Sequence, residues 1–255
     1  MPRSFSIAAA VNDDDVLAQC LLSSPDIEHV KGFSAYRGYP SASLAHNQAL
    51  FDNTADVLVI AHQDVYLPAG FIERLNTAID DVECIDSKWA VIGLIGIDAD
   101  RNIGGEVWSS GIGRVVGHPI RSPMPVENVD ELVIVINARS GVLFDPNLPG
   151  YHLYGLDVVQ NAKSRGYSSW VVNNPVIHHS KPLLTLDRSY HKAWNFSRRK
   201  WAKKLPICSL VCDLERYPIR LWIKSLRMRW RSRRLKIRPA PKGSPPSIAA
   251  SLGWE

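Results

Sequence analysis

The stretch Val57–Pro68, VLVIAHQDVYLP, decides how the chain is read. Five consecutive apolar residues, Val57 to Ala61, stop at His62, Gln63 and a single carboxylate, Asp64. A short unbroken apolar run bounded by polar residues fits a strand buried on both faces, as inside an α/β sheet. Pro68 then stands near the start of a four-residue repeat, Phe71, Leu75 and Ile79, which predicts a helix. In open sheets built from such units, ligands bind beyond the carboxyl ends of the strands. Asp64 sits at such an end.

The same alternation extends outward. Phe5–Val11 is an apolar strand, followed by NDDDVLAQCLLSS, a helix with Asp residues to cap it. Trp89–Ile97 is a third strand, and ELVIVINARSGVLF holds another that turns as a hairpin around Ser140 and Gly141. GLDVVQNAKSRG is a short helix ending at Gly166, and SSWVVNNPVIHHS carries one or two final strands. The segment Asp98–Pro125, rich in Gly, Ser and Pro, reads as a long, partly mobile loop of functional kind. The expected fold class is α/β, an open mixed but largely parallel sheet flanked by helices.

From about Ser180 aromatic and basic residues dominate. YHKAWNFSRRKWAKKLP predicts one helix, and another begins near Asp213. Beyond Lys236 the chain is rich in Pro and Ser and reads as a flexible tail. The expected organisation is a catalytic domain over 1–185, a helical basic extension over 186–238 and a tail over 239–255.

Composition narrows the function classes. With 255 residues, 45% of them apolar and 22% charged, the chain is that of a soluble globular protein. No apolar run reaches the roughly 18 residues needed to span a bilayer. The opening MPRSFSIAAAVNDDD is too short in apolar residues for a signal peptide, so a cytoplasmic location is expected. Cys20, Cys84, Cys208 and Cys212 are too scattered for a disulfide framework and too few for a zinc site.

The net charge of +5 is unevenly placed, with ten Lys or Arg and no acidic residue between Arg216 and Arg238. Ile219, Trp222, Ile223, Leu226 and Trp230 recur at helical spacing, and Arg220, Lys224, Arg227, Arg231 and Arg234 follow one position later. That pattern is a basic amphipathic helix suited to an anionic membrane surface. Packing on the catalytic domain, an oligomer contact and nucleic-acid binding are the alternatives, and no nucleic-acid module accompanies the charges.

The chemistry-bearing residues stand at element ends. After Asp64 come Asp157 in the first turn of a helix, following YHLYG, and His178 and His179 at the end of a strand. Carboxylates and neutral imidazoles are suitable ligands for Mn²⁺ or Mg²⁺ holding a phosphate. Taken in order, IAAAVNDDDVLAQCLLSS, SLAHNQAL, ADVLVIAHQDVYLPAGFIERL, WAVIGLIG, VDELVIVI, GYHLYGLDVVQNAKSRG and VVNNPVIHHS carry a resemblance. Over residues 4–182 the chain resembles glycosyltransferases of the GT-A fold (nucleotide-diphospho-sugar transferases), in a family-2-like group with His-Gln-Asp where most relatives have Asp-x-Asp.

The resemblance implies roles for individual residues. Ala10, Val11 and Asn12 would hold the base and ribose of the donor nucleotide, with Asn47 and Gln48 on a donor-side helix and Gln63 and Asp64 at the diphosphate. Asp64 would coordinate the metal together with a late histidine. Precedence to a serine favours His179 over His178, and strand alternation puts the two rings on opposite faces. Asp157 corresponds to the catalytic base of inverting members, and Asp130 and Glu131 stand behind it as a second acidic pair. Trp108, Arg114 and Tyr154 are candidates to meet the sugar or the acceptor.

The function so implied is metal-assisted, inverting transfer of a sugar from a nucleotide-diphosphate donor to a glycan or lipid-linked acceptor. It would serve envelope polysaccharide synthesis, on the inner face of the membrane. The missing first carboxylate of the motif leaves a second reading, an inactive GT-A-like module that binds a partner or a membrane.

Overall fold

The computed structural model describes residues 3–180, 184–234 and 243–255. Its first half runs β1 (Phe5–Val11), α1 (Asp14–Gln19), β2 (Phe33–Arg37), α2 (Ala42–Asp52), β3 (Val57–Ala61), β4 (Val65–Tyr66), α3 (Phe71–Ile85), β5 (Trp89–Gly93) and β6 (Gly96–Ile97). There follow β7 (Ile103–Ser109), β8 (Arg114–His118), β9 (Met124–Pro125), β10 (Asn128–Val129), β11 (Val133–Asn137), α4 (Tyr154–Ser164), β12 (Ser168–Val171) and β13 (Val176–His178). Three helices complete the chain: α5 (Arg188–Lys200), α6 (Ile219–Arg234) and α7 (Pro245–Ser251).

The apolar runs form the middle of a seven-stranded sheet, ordered β2-β1-β3-β11-β5-β12-β9. Every residue of β3 and β5 is buried, which accounts for the absence of alternation in those runs. Leu58 and Ile60 face one apolar core, with α2 and α4, while Val57, Val59 and Ala61 face the other, with α3. In α3, Phe71, Leu75, Ile79 and Val82 are the buried stripe. The Asp26 carboxylate caps this helix from a distant segment, accepting from the amides of Gly70 and Ile72. Such a cap is worth about 1 kcal/mol.

The sheet is open and mixed, flanked by helices, as expected. β1, β2 and β3 are mutually parallel, but β11 runs antiparallel to both β3 and β5. That reversal brings the residues just before β11 to the same edge as those just after β3. A second sheet, β10-β6-β7-β13-β4 with β8 beside β7, lies across this edge.

Four expectations need correction. The segment after Asp98 is an ordered hairpin, β7 against β8, paired from Gly105–His118 to Ser109–Arg114. Its glycines hide the strand pattern, and at Gly105 (φ +88) a Cβ would lie 1.9 Å from the Leu94 carbonyl oxygen. Ser140 and Gly141 do not turn a hairpin; a single helical turn, Ala138–Ser140, ends on left-handed Gly141.

The helix expected near Asp213 begins at Ile219. The tail is not loose throughout, because α7 packs on β13 and buries Ile248 and Ala249 against Tyr66 and Ile177. Beyond it, Glu255 accepts a hydrogen bond from the Tyr66 hydroxyl. The parts of the basic extension and tail between 235 and 242 lie outside the described residues.

The extension shares the main core. Tyr190, Ala193, Trp194, Trp201 and Leu221 belong to the same apolar cluster as α4 and β11.

Candidate functional site

The site forms where β3 stops. The His62 amide still bonds back to the Leu132 carbonyl at 2.9 Å, and the chain turns so that the Val65 amide reaches the His62 carbonyl. β4 then pairs antiparallel with β13, setting His178 opposite Val65. This turn and strand pairing gather three side chains. Asp64 Oδ1 lies 3.8 Å from His62 Nδ1 and 3.5 Å from His178 Nε2. One ligand atom from each of the three residues falls within 4.8 Å of the others.

Hydrogen bonding fixes the orientation of His62. The Tyr154 hydroxyl donates to the Glu131 carbonyl at 3.1 Å, and His62 Nε2 lies 2.7 Å from the same hydroxyl oxygen. When the phenolic proton goes to the Glu131 carbonyl, His62 Nε2 donates to the hydroxyl, and a lone pair on Nδ1 faces Asp64. A lone pair aimed at a carboxylate is an arrangement that a cation between them completes. A second hydrogen bond that locks the ring of a metal-ligating histidine is a recurring feature of such sites.

The electrostatics agree. Burial alone would raise the Asp64 carboxyl, but the facing His178 and His62 rings hold it down to about 2. Burial pulls His178 down, yet Asp64 outweighs it and the net shift is upward. His62 is pushed down by burial, with Asp64 opposing.

A cavity of about 580 Å³ opens beside this cluster, lined by His62 and His178 on one side and Asp130 and Glu131 on another. The Glu131 carboxylate is partly buried at the start of α4. Burial raises it to about 8, with Asp130 adding to the rise, against the pull of the amides of Gly155, Leu153 and Tyr154. Apolar side chains, among them Ile112, Leu186, Leu210 and Val211, line much of the rest.

The structure brings together some of the residues singled out in the sequence and separates others. At the end of β1, Gln63 Oε1 accepts from the amides of Asn12 (2.9 Å) and Asp13 (3.1 Å), and Gln63 Nε2 donates to Asn12 Oδ1. This clasp holds the Ala10–Asn12 strand end beside Asp64. Asn47 instead spends its amide on the backbone of Phe144, donating to the carbonyl and accepting from the amide at 2.9 Å each. Gln48 donates to Asp52.

His179 is separated from the cluster. Its backbone amide bonds the Asp64 carbonyl, but its ring turns to Ser110 Oγ at 3.1 Å. Alternation along β13 gives the cluster His178, one residue earlier than the following serine suggested. Trp108 donates its indole N–H to Ser110 and packs toward α7, and Arg114 is exposed at the hairpin end. Tyr154 is buried and supports His62 rather than lining the cavity.

Asp157 lies furthest from its expected role. It is fully buried and faces α5: Lys200 Nζ (2.8 Å), Trp201 Nε1 just past the helix end (2.9 Å) and Asn161 Nδ2 of its own helix (3.1 Å) take up its oxygens. Lys200 also reaches Asp145 at 2.8 Å. A carboxylate so enclosed has no access to the cavity. Asp157 fastens the extension to α4, and the acidic pair that does face the cavity is Asp130 and Glu131.

Sequence reasoning passed over His62, treating it as a departure from Asp-x-Asp. The available signal was its spacing: a residue two before Asp64 in a tight turn can point to the same side. His152, which lines the cavity near Asp187, was likewise not singled out.

Comparisons with known proteins add the following. No family model matches the chain. A curated protein of Fuscovulum blasticum, described as "ATP synthase subunits region ORF 6", is 26% identical over 172 residues, covering 66% of this chain and 68% of that protein. Among solved structures, mannosyltransferase PcManGT from Pyrobaculum calidifontis, in complex with GDP-Man and Mn²⁺, aligns with a TM-score of 0.48 at 11% identity, over 99% of this chain and 79% of that one. Glucosyl-3-phosphoglycerate synthase from Mycobacterium tuberculosis, with Mg²⁺ and UDP, gives 0.47 at 11% identity, over 82% of each chain. GalNAc-T7 with UDP, GalNAc and Mn²⁺ gives 0.44 at 12% identity, and this chain spans 57% of its length. The fold is read from this chain's own strand order.

Proposed function

We propose that the chain transfers a sugar from a nucleotide-diphosphate donor to a hydroxyl of a glycan or lipid-linked acceptor, with inversion, in the assembly of an envelope polysaccharide. One observation carries the reading. A carboxylate and two imidazoles converge at the end of a sheet strand, on a cavity whose other polar wall is an acidic pair.

The residues present fit a divalent cation. His62, Asp64 and His178 would hold it, and two imidazoles beside one carboxylate favour Mn²⁺ over Mg²⁺, which prefers oxygen. When bound, such a cation neutralises charge developing on the departing nucleoside diphosphate. The strand end Ala10–Asn12, clasped by Gln63, offers backbone and amide groups on the donor side of Asp64. Glu131, with Asp130 beside it on the cavity wall, would take the proton of an acceptor hydroxyl entering the cavity. The carboxylate raised to about 8 is a stronger base than an ordinary Glu once ionised.

Purified protein assayed with a panel of nucleotide sugars in Mn²⁺ is expected to transfer or hydrolyse one of them. Asp64→Ala should abolish this without altering the circular dichroism spectrum. Unchanged turnover in that variant would sink the assignment. The single carboxylate of the cluster is the observation that favours the second reading, an inactive GT-A-like module serving as a partner- or membrane-binding scaffold. Calorimetry with UDP, GDP and dTDP, with and without Mn²⁺, separates the two, since the scaffold binds none of them.

A further inference from the structure

Helix α6 stands on the protein with its apolar stripe outward. Leu221 is fully buried and Ser225 nearly so, while Trp222, Ile223, Leu226 and Ile219 are 58%, 43%, 65% and 57% exposed. Trp230, 56% exposed, continues the same line. The helix is not loosely attached. His191 and Ser225 share a hydrogen bond of 2.9 Å, Lys224 donates to the Val211 carbonyl, and Arg198 donates to the Arg216 carbonyl. Its orientation is therefore set by the fold, and the fold turns the tryptophans away from the core.

We infer that this face of α6 docks on an anionic lipid bilayer. Three features select that occupant. The stripe is flanked by Arg227, Arg229 and Arg231, with Arg220 held by Asp213 and Glu215 and Lys224 by the Val211 carbonyl, and the sequence from 216 to 238 has no acidic residue, so the outer surface is complementary to negative charge. Its apolar residues include two tryptophans, which favour the boundary between headgroups and acyl chains.

The face is also too small for a stable protein partner. Sixteen residues of helix are about 24 Å long, and a stripe about 10 Å wide then offers roughly 240 Å², against about 800 Å² per side in ordinary protein interfaces. A bilayer needs no such area, because each Lys or Arg near an anionic surface adds to the apolar contribution. No helix among the described residues is long and apolar enough to cross a membrane, so the contact is one of lying on the surface.

The docking also places the cavity. Val211, which accepts from Lys224, and Leu210 are part of the cavity lining, so α6 is joined directly to that apolar wall. An acceptor carried on a lipid then meets the cavity from the bilayer side. This last step rests on the transferase reading; the docking itself does not.

The test is co-sedimentation of the full chain with vesicles of phosphatidylcholine alone or mixed with phosphatidylglycerol. Binding is expected to the mixed vesicles only, to weaken as salt rises, and to fall by about tenfold or more in Trp222→Ser/Leu226→Ser. Both side chains are exposed, so the double variant should keep the parent's melting temperature. Failure of the parent to bind anionic vesicles, or equal binding by the double variant, would overturn the proposal. So would a dimer in sedimentation equilibrium that the same two substitutions dissociate, because the face would then belong to a second copy. None of these outcomes touches sugar transfer in solution, which the Asp64→Ala assay reads separately.

Discussion

Replacing Asp157 by Asn tests whether this carboxylate anchors the fold or takes a proton in catalysis. Asp157 is fully buried and accepts from Lys200, Trp201 and Asn161, while Lys200 spans the gap to Asp145. An Asn keeps the shape and one acceptor oxygen for the Trp201 indole. Its amide group, however, faces the Lys200 ammonium, so a donor meets a donor at a position where Asp157 itself has no exposure. Breaking a buried pair by removing one charge costs about 3–5 kcal/mol. Here Asp145 still partners Lys200, so the lower figure, about 3 kcal/mol, is expected. For a domain of this size each kcal/mol shifts the melting temperature by about 2–4 °C, which gives a fall of roughly 6–12 °C.

Urea denaturation followed by tryptophan fluorescence measures the loss, and Lys200→Met provides the second corner of a double-mutant cycle. Lys200→Met alone strands two carboxylates and should cost at least as much as Asp157→Asn. The double variant should cost less than the sum of the singles by about 1 kcal/mol or more. A midpoint unchanged in Asp157→Asn, combined with abolished turnover, would refute the anchoring role and return this residue to catalysis.

Two further outcomes follow from the site. Tyr154→Phe removes the hydroxyl that orients His62, so Mn²⁺ affinity measured by calorimetry should fall by about 10- to 100-fold, as for lost outer-shell partners of metal ligands; unchanged affinity would show that the ring needs no such support. Glu131, raised to about 8, is protonated at neutral pH, so kcat/KM should rise with pH up to about 8 and the rise should vanish in Glu131→Gln. A carboxyl whose folded value lies above its unfolded one lends stability while protonated and loses it as pH rises through about 8. The melting temperature should therefore fall as pH rises from about 4.5 to about 8 in the parent, level off above that, and fall less in Glu131→Gln; identical profiles would disprove the burial argument.

How far the sequence reveals this structure depends on where the information resides. β3 and β5 are legible because burial on both faces demands an unbroken apolar run. The β7–β8 hairpin is not, because Gly104, Gly105 and Gly117 occupy positions where side chains would have shown alternation. The Asp64 position is legible as a strand end. The acidic partner is harder to assign, since an Asp in the first turn of a helix looks the same whether it faces a cavity or, like Asp157, a buried lysine. Asp130 and Glu131 precede a strand, and only the antiparallel insertion of β11 carries them to the edge where β3 ends. Likewise, alternation tells that His178 and His179 diverge, while the pairing of β13 with β4 decides which one meets Asp64.

The contact between Glu255 and Tyr66 also bears on the order in which the protein folds. The two residues are 189 positions apart, and the strand that α7 covers is the one that carries His178. Contacts that close so long a loop form late, after the local strand and helix units have condensed. A chain that has already assembled β1, β3 and α3 still lacks this brace across β4 and β13. Its apolar core is then native while His178 and Asp64 are not yet held together. Capture of a cation is thus expected among the last events of folding, and a partly folded chain would be structured in its core yet blind to metal.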